Sequence, residues 1–169
     1  VNLKTKDGLT ALDIAEGEIA KLIRKNGGKY SGIKSAISND NVEAVKKFLN
    51  AGVDLNAKDE MGMAPLHYAI AGNGNYSLEI IELLIEKGSD LNIKDETGMT
   101  PLHWLSEDNA NNSLKIIELL IEKGSNVNMK DNHGFTPLGI AEMNDHTEII
   151  KLLSKHGGKT GEELIAEGK

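Results

Sequence analysis

Three short segments of this chain are near copies of one another, and the constant step between them limits what the chain can fold into. They are Ala64-Pro65-Leu66-His67-Tyr68, Thr100-Pro101-Leu102-His103-Trp104 and Thr136-Pro137-Leu138-Gly139-Ile140, with starts 36 residues apart. A second apolar segment follows each: Ile80-Ile81-Glu82-Leu83-Leu84, Ile116-Ile117-Glu118-Leu119-Leu120 and Ile149-Ile150-Lys151-Leu152-Leu153. A glycine then closes the unit, at Gly88, Gly124 and Gly157. A period of this length marks stacked supersecondary units, none of which can bury its apolar face alone.

Each feature has a local reading. Threonine before proline suits a helix start, because the hydroxyl caps and proline at the first helical position loses no needed donor. Ile80, Leu83 and Leu84 recur at three and four, which predicts one buried helical stripe. Burying one such side chain contributes roughly 1.5–3 kcal/mol, so Leu83→Ala or Leu119→Ala is expected to cost more than any surface change. Ser77 and Ser113 stand where the second helices need N-caps, and the closing glycines suit the left-handed position after a helix. Between units run Asp90-Leu91-Asn92-Ile93-Lys94-Asp95 and Asn126-Val127-Asn128-Met129-Lys130-Asp131, followed by Gly98 and Gly134. This composition predicts an extended, turn-bearing finger.

The threonine-proline-leucine-histidine start, the second helix and the glycine-aspartate-asparagine finger resemble the ankyrin repeat over essentially the whole chain. The resemblance implies an all-α fold, an ankyrin-repeat solenoid of stacked antiparallel helix pairs with extended finger turns. One domain is expected over 1–169, with units at about 1–28 (clipped), 31–57, 58–93, 94–129 and 130–158 and a terminal helix at 161–167. Ser31 to Asn50 is a degenerate copy, and its start precedes Ala64 by 33 residues. The longer period afterwards places three extra residues in the turns around Gly72 to Tyr76 and Asn109 to Asn112. The first unit departs from the pattern: Thr10-Ala11-Leu12-Asp13-Ile14-Ala15 opens a helix, but Glu18-Ile19 follows four residues early. No finger fits between Gly27 and Ser31, and Gly27-Gly28-Lys29 echoes Gly157-Gly158-Lys159. This reads as a seam, an earlier array joined to a new one, and predicts that the chain is a piece of something longer.

Composition and failed motifs exclude other chemistry. The net charge is −7 with a pI near 5.3, Arg24 is the sole arginine among 19 basic residues, and aromatics are 4%. Such a surface repels phosphate backbones and anionic lipid and offers little for base stacking, so no nucleic-acid or membrane partner is expected. Cysteine is absent, and no apolar run approaches the ~20 residues of a membrane span. His67 and His103 occupy matching places one repeat apart, about 10 Å on helix-packing grounds, which is too far to share an ion. The resemblance makes this histidine structural, bonded to neighbouring turns. His133, His146 and His156 lack metal-ligand spacing. Gly158-Lys159-Thr160 has Leu153 where a phosphate loop needs glycine. Asp54-x-Asn56-x-Lys58 and Asp90-x-Asn92-x-Lys94 put lysine into what would be a calcium shell. No cofactor, metal or catalytic residue is expected, and no enzyme.

The candidate site is a surface. Leu9, Met63, Met99 and Phe135 precede the unit starts, at finger tips or finger-to-helix turns, where ankyrin arrays contact partners; Met61 and Met143 fall at other variable places. Flexible, polarisable methionine suits an adaptable binding surface. Lys58, Glu60, Lys94, Glu96, Thr97, Lys130, Asn132 and His133 form a polar rim around that row, which Glu107, Asp108 and Asn144 extend along the inner helices. Trp104 stands where the family carries leucine, and Leu105 where it carries alanine, which widens that unit or places an anchor at the groove. The expected function is non-catalytic binding of a protein partner on a concave face of fingers and inner helices, with Met63, Met99 and Phe135 as anchors. The chain is expected to be monomeric and cytoplasmic. The alternative is a spacer or targeting segment of a longer array, or a secreted bacterial effector.

Overall fold

Proline sets where three of the helices begin. The computed structural model describes residues 2–6, 9–14, 19, 22, 32–71, 77–108 and 112–168. Among the described residues are nine helices and no strand, and the chain divides into two compact units, Val1–Asp54 and Leu55–Lys169.

In the first unit, α1 (Ile33–Ser38) packs on α2 (Val42–Asn50) across a tight turn in which Asp40 takes a positive φ of 48°. Asn41 caps α2, its Oδ1 accepting from the Ala44 amide at 2.9 Å. The helix expected from Thr10 is not formed within residues 10–14, which make turns and a bend. The Asp13 carboxylate accepts from both the Thr10 amide and the Thr10 hydroxyl and also from Ser35 Oγ. Leu12 is nonetheless fully buried. The proposed seam at 27–31, most of the clipped second helix and the turn insertions at 72–76 and 109–111 lie outside the described residues.

The second unit holds three helix pairs and a closing helix. They are α3 (Pro65–Ile70) with α4 (Leu78–Glu86), α5 (Pro101–Glu107) with α6 (Ser113–Glu122), α7 (Pro137–Met143) with α8 (Thr147–Lys155), and then α9 (Gly161–Ala166). Within each pair the two helices pack on each other; α5 also packs on both α3 and α7, and α6 on α8. Because a second helix meets its own partner and its neighbours, its buried arc is wider than one stripe. Ile80, Ile81 and Leu84 are fully buried, as are Ile116, Ile117 and Leu120, whereas Leu83 and Leu119 are half-buried. Leu84 and Leu120 therefore replace Leu83 and Leu119 as the costliest truncations, at about 2–5 kcal/mol for leucine to alanine.

The caps also differ in part from expectation. Thr136 caps α7 by accepting from the Gly139 amide at 3.2 Å, and Thr160 and Glu163 close a reciprocal capping box on α9. Thr100 instead turns its hydroxyl to His103 Nδ1, 2.8 Å away. Ser77 holds the N-cap position of α4, but its hydroxyl makes no cap bond. For α6 the cap residue is Asn112; Ser113 is already helical and donates to the Asp108 carbonyl at 2.9 Å, which its burial requires. The closing glycines are left-handed as expected, with φ of 91° at Gly88, 100° at Gly124 and 79° at Gly157.

Candidate functional site

The fingers are built by one aspartate each. Asp59 Oδ1 accepts from the amides of Met61 and Met63 at 3.0 and 2.9 Å, Asp95 Oδ1 from Thr97 and Met99 at 2.8 and 2.9 Å, and Asp131 Oδ1 from His133 and Phe135 at 2.9 and 2.8 Å. The three Asp amides in turn donate to the carbonyls of Met63, Met99 and Phe135 at 3.1, 3.0 and 2.8 Å. A short carboxylate that folds back on its own loop is the usual reason aspartate opens a turn.

Neighbouring fingers are then joined through the backbone. The Glu96 amide donates to the Met61 carbonyl at 3.1 Å and the Asn132 amide to the Thr97 carbonyl at 3.0 Å, while Asn132 Nδ2 donates to the Glu96 carbonyl at 2.8 Å. Glycine at the crossing point permits this approach. A Cβ on Gly62 would stand 2.5 Å from the Glu96 nitrogen, and one on Gly98 would stand 2.6 Å from that of Asn132. At the finger bases a second ladder runs through asparagine: Asn56 Oδ1 accepts from the Asp90 amide, Asn92 Oδ1 from Asn126 and Asn128 Oδ1 from Lys159, each at 2.8 Å. In the sequence these asparagines belong to the repeated finger pattern, and Asn56 and Asn92 also to the failed calcium loops, but their bonding between fingers is not legible there. Their recurrence at the repeat step follows from the bond that each makes to the next repeat.

The two repeat histidines are structural, as the resemblance implied. His67 Nδ1 accepts from the Ala64 amide at 3.1 Å, which fixes the proton on Nε2 for donation to the Met99 carbonyl at 3.4 Å. His103 repeats the arrangement with Thr100 at 3.0 Å and the Phe135 carbonyl at 3.1 Å. Burial pushes both imidazoles below their ordinary pKa, against the opposing pull of those carbonyls, so both are neutral at pH 7. Each therefore ties a helix start to the following finger tip. At the third position stands Gly139, and the tie is made by Thr136, whose hydroxyl donates to the Lys159 carbonyl at 2.6 Å.

A further brace comes from the next residue along. Tyr68 donates its hydroxyl to Asp59 Oδ2, and Trp104 its indole N–H to Asp95 Oδ2 at 2.9 Å. Burial, reinforced by the Asp59 carboxylate, pushes the Tyr68 phenol up to about 12. Burial pushes the Asp95 carboxyl up, but hydrogen bonds from Thr97, Trp104 and the Met99 and Thr97 amides outweigh it and hold the group below its usual range. Trp104 is half-buried and lies against His67, ring centroids 6.3 Å apart. Its bulk serves to brace the finger. Ile140, at the matching place in α7, has no donor to offer.

The candidate contact residues separate by exposure. Met63 retains only 7% of its surface and has almost nothing left for a partner. Met99 is half-buried and Phe135 is 40% exposed. Met61, Glu96, Glu107, His133 and Met143 are exposed, and Asp108 is half-buried. Lys94 is also half-buried, its ammonium donating to the Lys130 carbonyl at 2.7 Å. The structure brings His133, Phe135 and Met143 together around a cleft of about 460 Å³, whose other walls include Gly139, Glu142, Glu162 and Ile165. Glu142, Glu162 and Ile165 were not among the candidates. The signal for the cleft is Gly139, a glycine standing where two earlier units carry histidine.

Stacked helix pairs joined by interlocked fingers define a helical repeat protein. The family model for ankyrin repeats (3 copies) matches residues 22–95 and 71–163, and the chain belongs to the ankyrin-repeat family. No curated protein matches the chain. Ankyrin repeats are in general protein–protein interaction modules, and the family is typically non-catalytic.

Proposed function

We propose that the chain is a non-catalytic protein-binding module, and that the unit Leu55–Lys169 holds a partner on its finger tips and the adjoining ends of its first helices. The observation that carries this reading is the contrast between the finger backbone and its side chains. The backbone is locked by Asp59, Asp95 and Asp131 and by bonds between fingers, while Met61, Glu96, His133 and Phe135 remain exposed on it. A preorganised frame bearing adaptable side chains lowers the entropy lost on association. Protein-sized partners bury roughly 1,200–2,000 Å² in all, which a row of fingers together with Glu107 and Met143 can offer. The anchors are Met99, Phe135 and Met143, with Met61 beside them and with Lys94, Trp104 and Asp108 supporting the fingers and helix ends; Met63 belongs to the core. The net charge of −7 disfavours nucleic acid and anionic lipid as partners, and no described helix is long and apolar enough to cross a membrane. The module acts as a monomer.

The triple variant Met99→Ser/Phe135→Ser/Met143→Ser tests this reading by affinity capture with mass spectrometry. Proteins retained by the unaltered chain should be lost, while the helical circular dichroism stays within a few per cent. Retention of the same proteins by the variant would remove the face from consideration.

A further inference from the structure

The cleft beside the last finger differs from everything else on the face, and its origin lies in three departures from the repeat. Gly139 replaces the histidine whose ring, in the two units before, lies buried against the next finger. Ile140 replaces the tyrosine or tryptophan that braces the finger aspartate. After Phe135 the chain supplies no further finger, only α9, whose start passes so near that a Cβ on Gly161 would collide with the Gly134 carbonyl. The space left open is walled by Phe135, Met143 and Ile165, which are 40%, 66% and 69% exposed. Large apolar side chains scattered singly are ordinary, but three converging on one concavity are not.

Besides His133, the ionisable groups that line this space are both carboxylates. Glu142 and Glu162 are exposed in its walls. The nearby Lys159 is already paired with Glu167, and Glu163 is committed to the Thr160 amide. At about 460 Å³ the cleft has the size of a small-ligand or peptide-anchor site and is too small for a folded surface. We propose that it seats a short basic–apolar segment of a partner protein, one or two bulky aliphatic or aromatic side chains flanked by lysine or arginine. The apolar side chains enter between Phe135, Met143 and Ile165, and the flanking cations meet Glu142 and Glu162. This inference rests on the reading of the chain as a protein-binding module and names the chemistry of one subsite. A second copy is disfavoured as occupant because two chains of charge −7 would bring their acidic lips together.

The test uses fluorescence anisotropy with two labelled peptides sharing a Leu-Phe-Leu core, one flanked by lysines and one by glutamates. The lysine-flanked peptide should bind saturably and at least about tenfold more tightly than the other, with affinity falling as salt rises. Met143→Ser/Ile165→Ser should weaken it by about tenfold or more. Glu142→Lys/Glu162→Lys should reverse the preference between the peptides. Gly139→Leu guards against a folding artefact in the first variant. A Cβ there meets only Thr136 Oγ1 at 3.6 Å and Phe135 Cδ1 at 3.9 Å, so the side chain can enter the cleft and should block binding. Equal affinity for the two peptides, no saturable binding, or a dimer that depends on Met143 and Ile165 would each overturn the proposal. A Met61→Ser/Met99→Ser variant separates the two readings. If partner capture depends on those fingers while the peptides fail to bind, the cleft assignment alone falls; if neither responds, both fall.

Discussion

The fingers opened by Asp59 and Asp95 and the finger opened by Asp131 are made from the same turn, yet they are held differently. Each inner finger has a neighbour lying over it, a donor from the helix behind it on its aspartate, and a glycine in contact with the next backbone. The Asp131 finger keeps the turn and the histidine tie from the preceding unit, but it has no aromatic brace, and a Cβ on Gly134 would meet nothing within 4 Å. The same motif is thus a structural joint where another finger follows it and a partly open edge where α9 follows instead. The side chains follow suit: Met63 is buried, Met99 half-buried and Phe135 exposed. Position within the stack, more than position within the repeat, decides which residue is available to a partner.

The largest expected effect comes from the glycines, which tests that contrast directly. Gly98 has φ of 82° and Gly134 φ of 88°, so alanine carries a similar left-handed cost at both, roughly 1–2 kcal/mol. Only at Gly98 does the added Cβ also meet a neighbouring backbone, 2.6 Å from the Asn132 nitrogen, and prising the fingers apart costs roughly 1–3 kcal/mol more. Gly98→Ala should therefore reduce the unfolding free energy measured in urea clearly more than Gly134→Ala, by about 3 kcal/mol against about 1.5. Equal losses would mean that the fingers are not in load-sharing contact.

The same contrast separates what is legible in the sequence from what is not. The repeat step, the proline helix starts and the closing glycines are legible from short motifs and their spacing, whereas the structural role of the histidines comes from the family resemblance, since each reaches a carbonyl 32 residues on. What escapes a reading of the residues depends on neighbours distant in the chain. Leu83 and Leu84 are equally apolar, and only packing from several sides makes the second the buried one. Met63, Met99 and Phe135 are equivalent in the repeat, yet they are buried, half-buried and exposed in turn, a gradation that the repeat pattern alone does not carry. The cleft has the same character, since Gly139 marks an omission whose consequence appears only when α9 closes the other side.

Acid should act through the inner joints. His67 and His103 are held below their ordinary pKa, so between the usual histidine value of ~6.5 and their native values the unfolded chain binds protons that the native one does not. Their contribution is complete above about pH 6.5 and is lost as pH falls through that window, with a slope of at most about 1.4 kcal/mol per pH unit for each. Gly139 supplies no such imidazole at the matching place of the last unit. Urea titrations at successive pH values should show the slope below about pH 6.5 reduced in His103→Gln and reduced further in His67→Gln/His103→Gln. A slope unchanged in the double variant would place the acid sensitivity elsewhere. The depressed Asp95 carboxyl acts in a separate window, losing its contribution only as pH falls below about 4.

The smallest effect isolates the brace. Trp104→Phe keeps an aromatic ring beside His67 but removes the indole N–H from Asp95 Oδ2. A hydrogen bond to a carboxylate is worth roughly 1.5–3 kcal/mol in favourable settings, and both partners here are half-exposed, so about 1 kcal/mol is expected. A loss that small is better read locally than globally. The Asp95 carboxyl should titrate higher in the variant, and the Thr97 and Met99 amides, which it holds, should exchange faster with solvent. The matching change in the last unit, Ile140→Val, removes a methylene but no hydrogen bond to Asp131, so exchange at His133 and Phe135 should stay where it was. If Trp104→Phe left exchange at Thr97 and Met99 unaltered, the aromatic donor would be incidental to finger rigidity, and the difference between inner and terminal fingers would rest on the overlying neighbour alone.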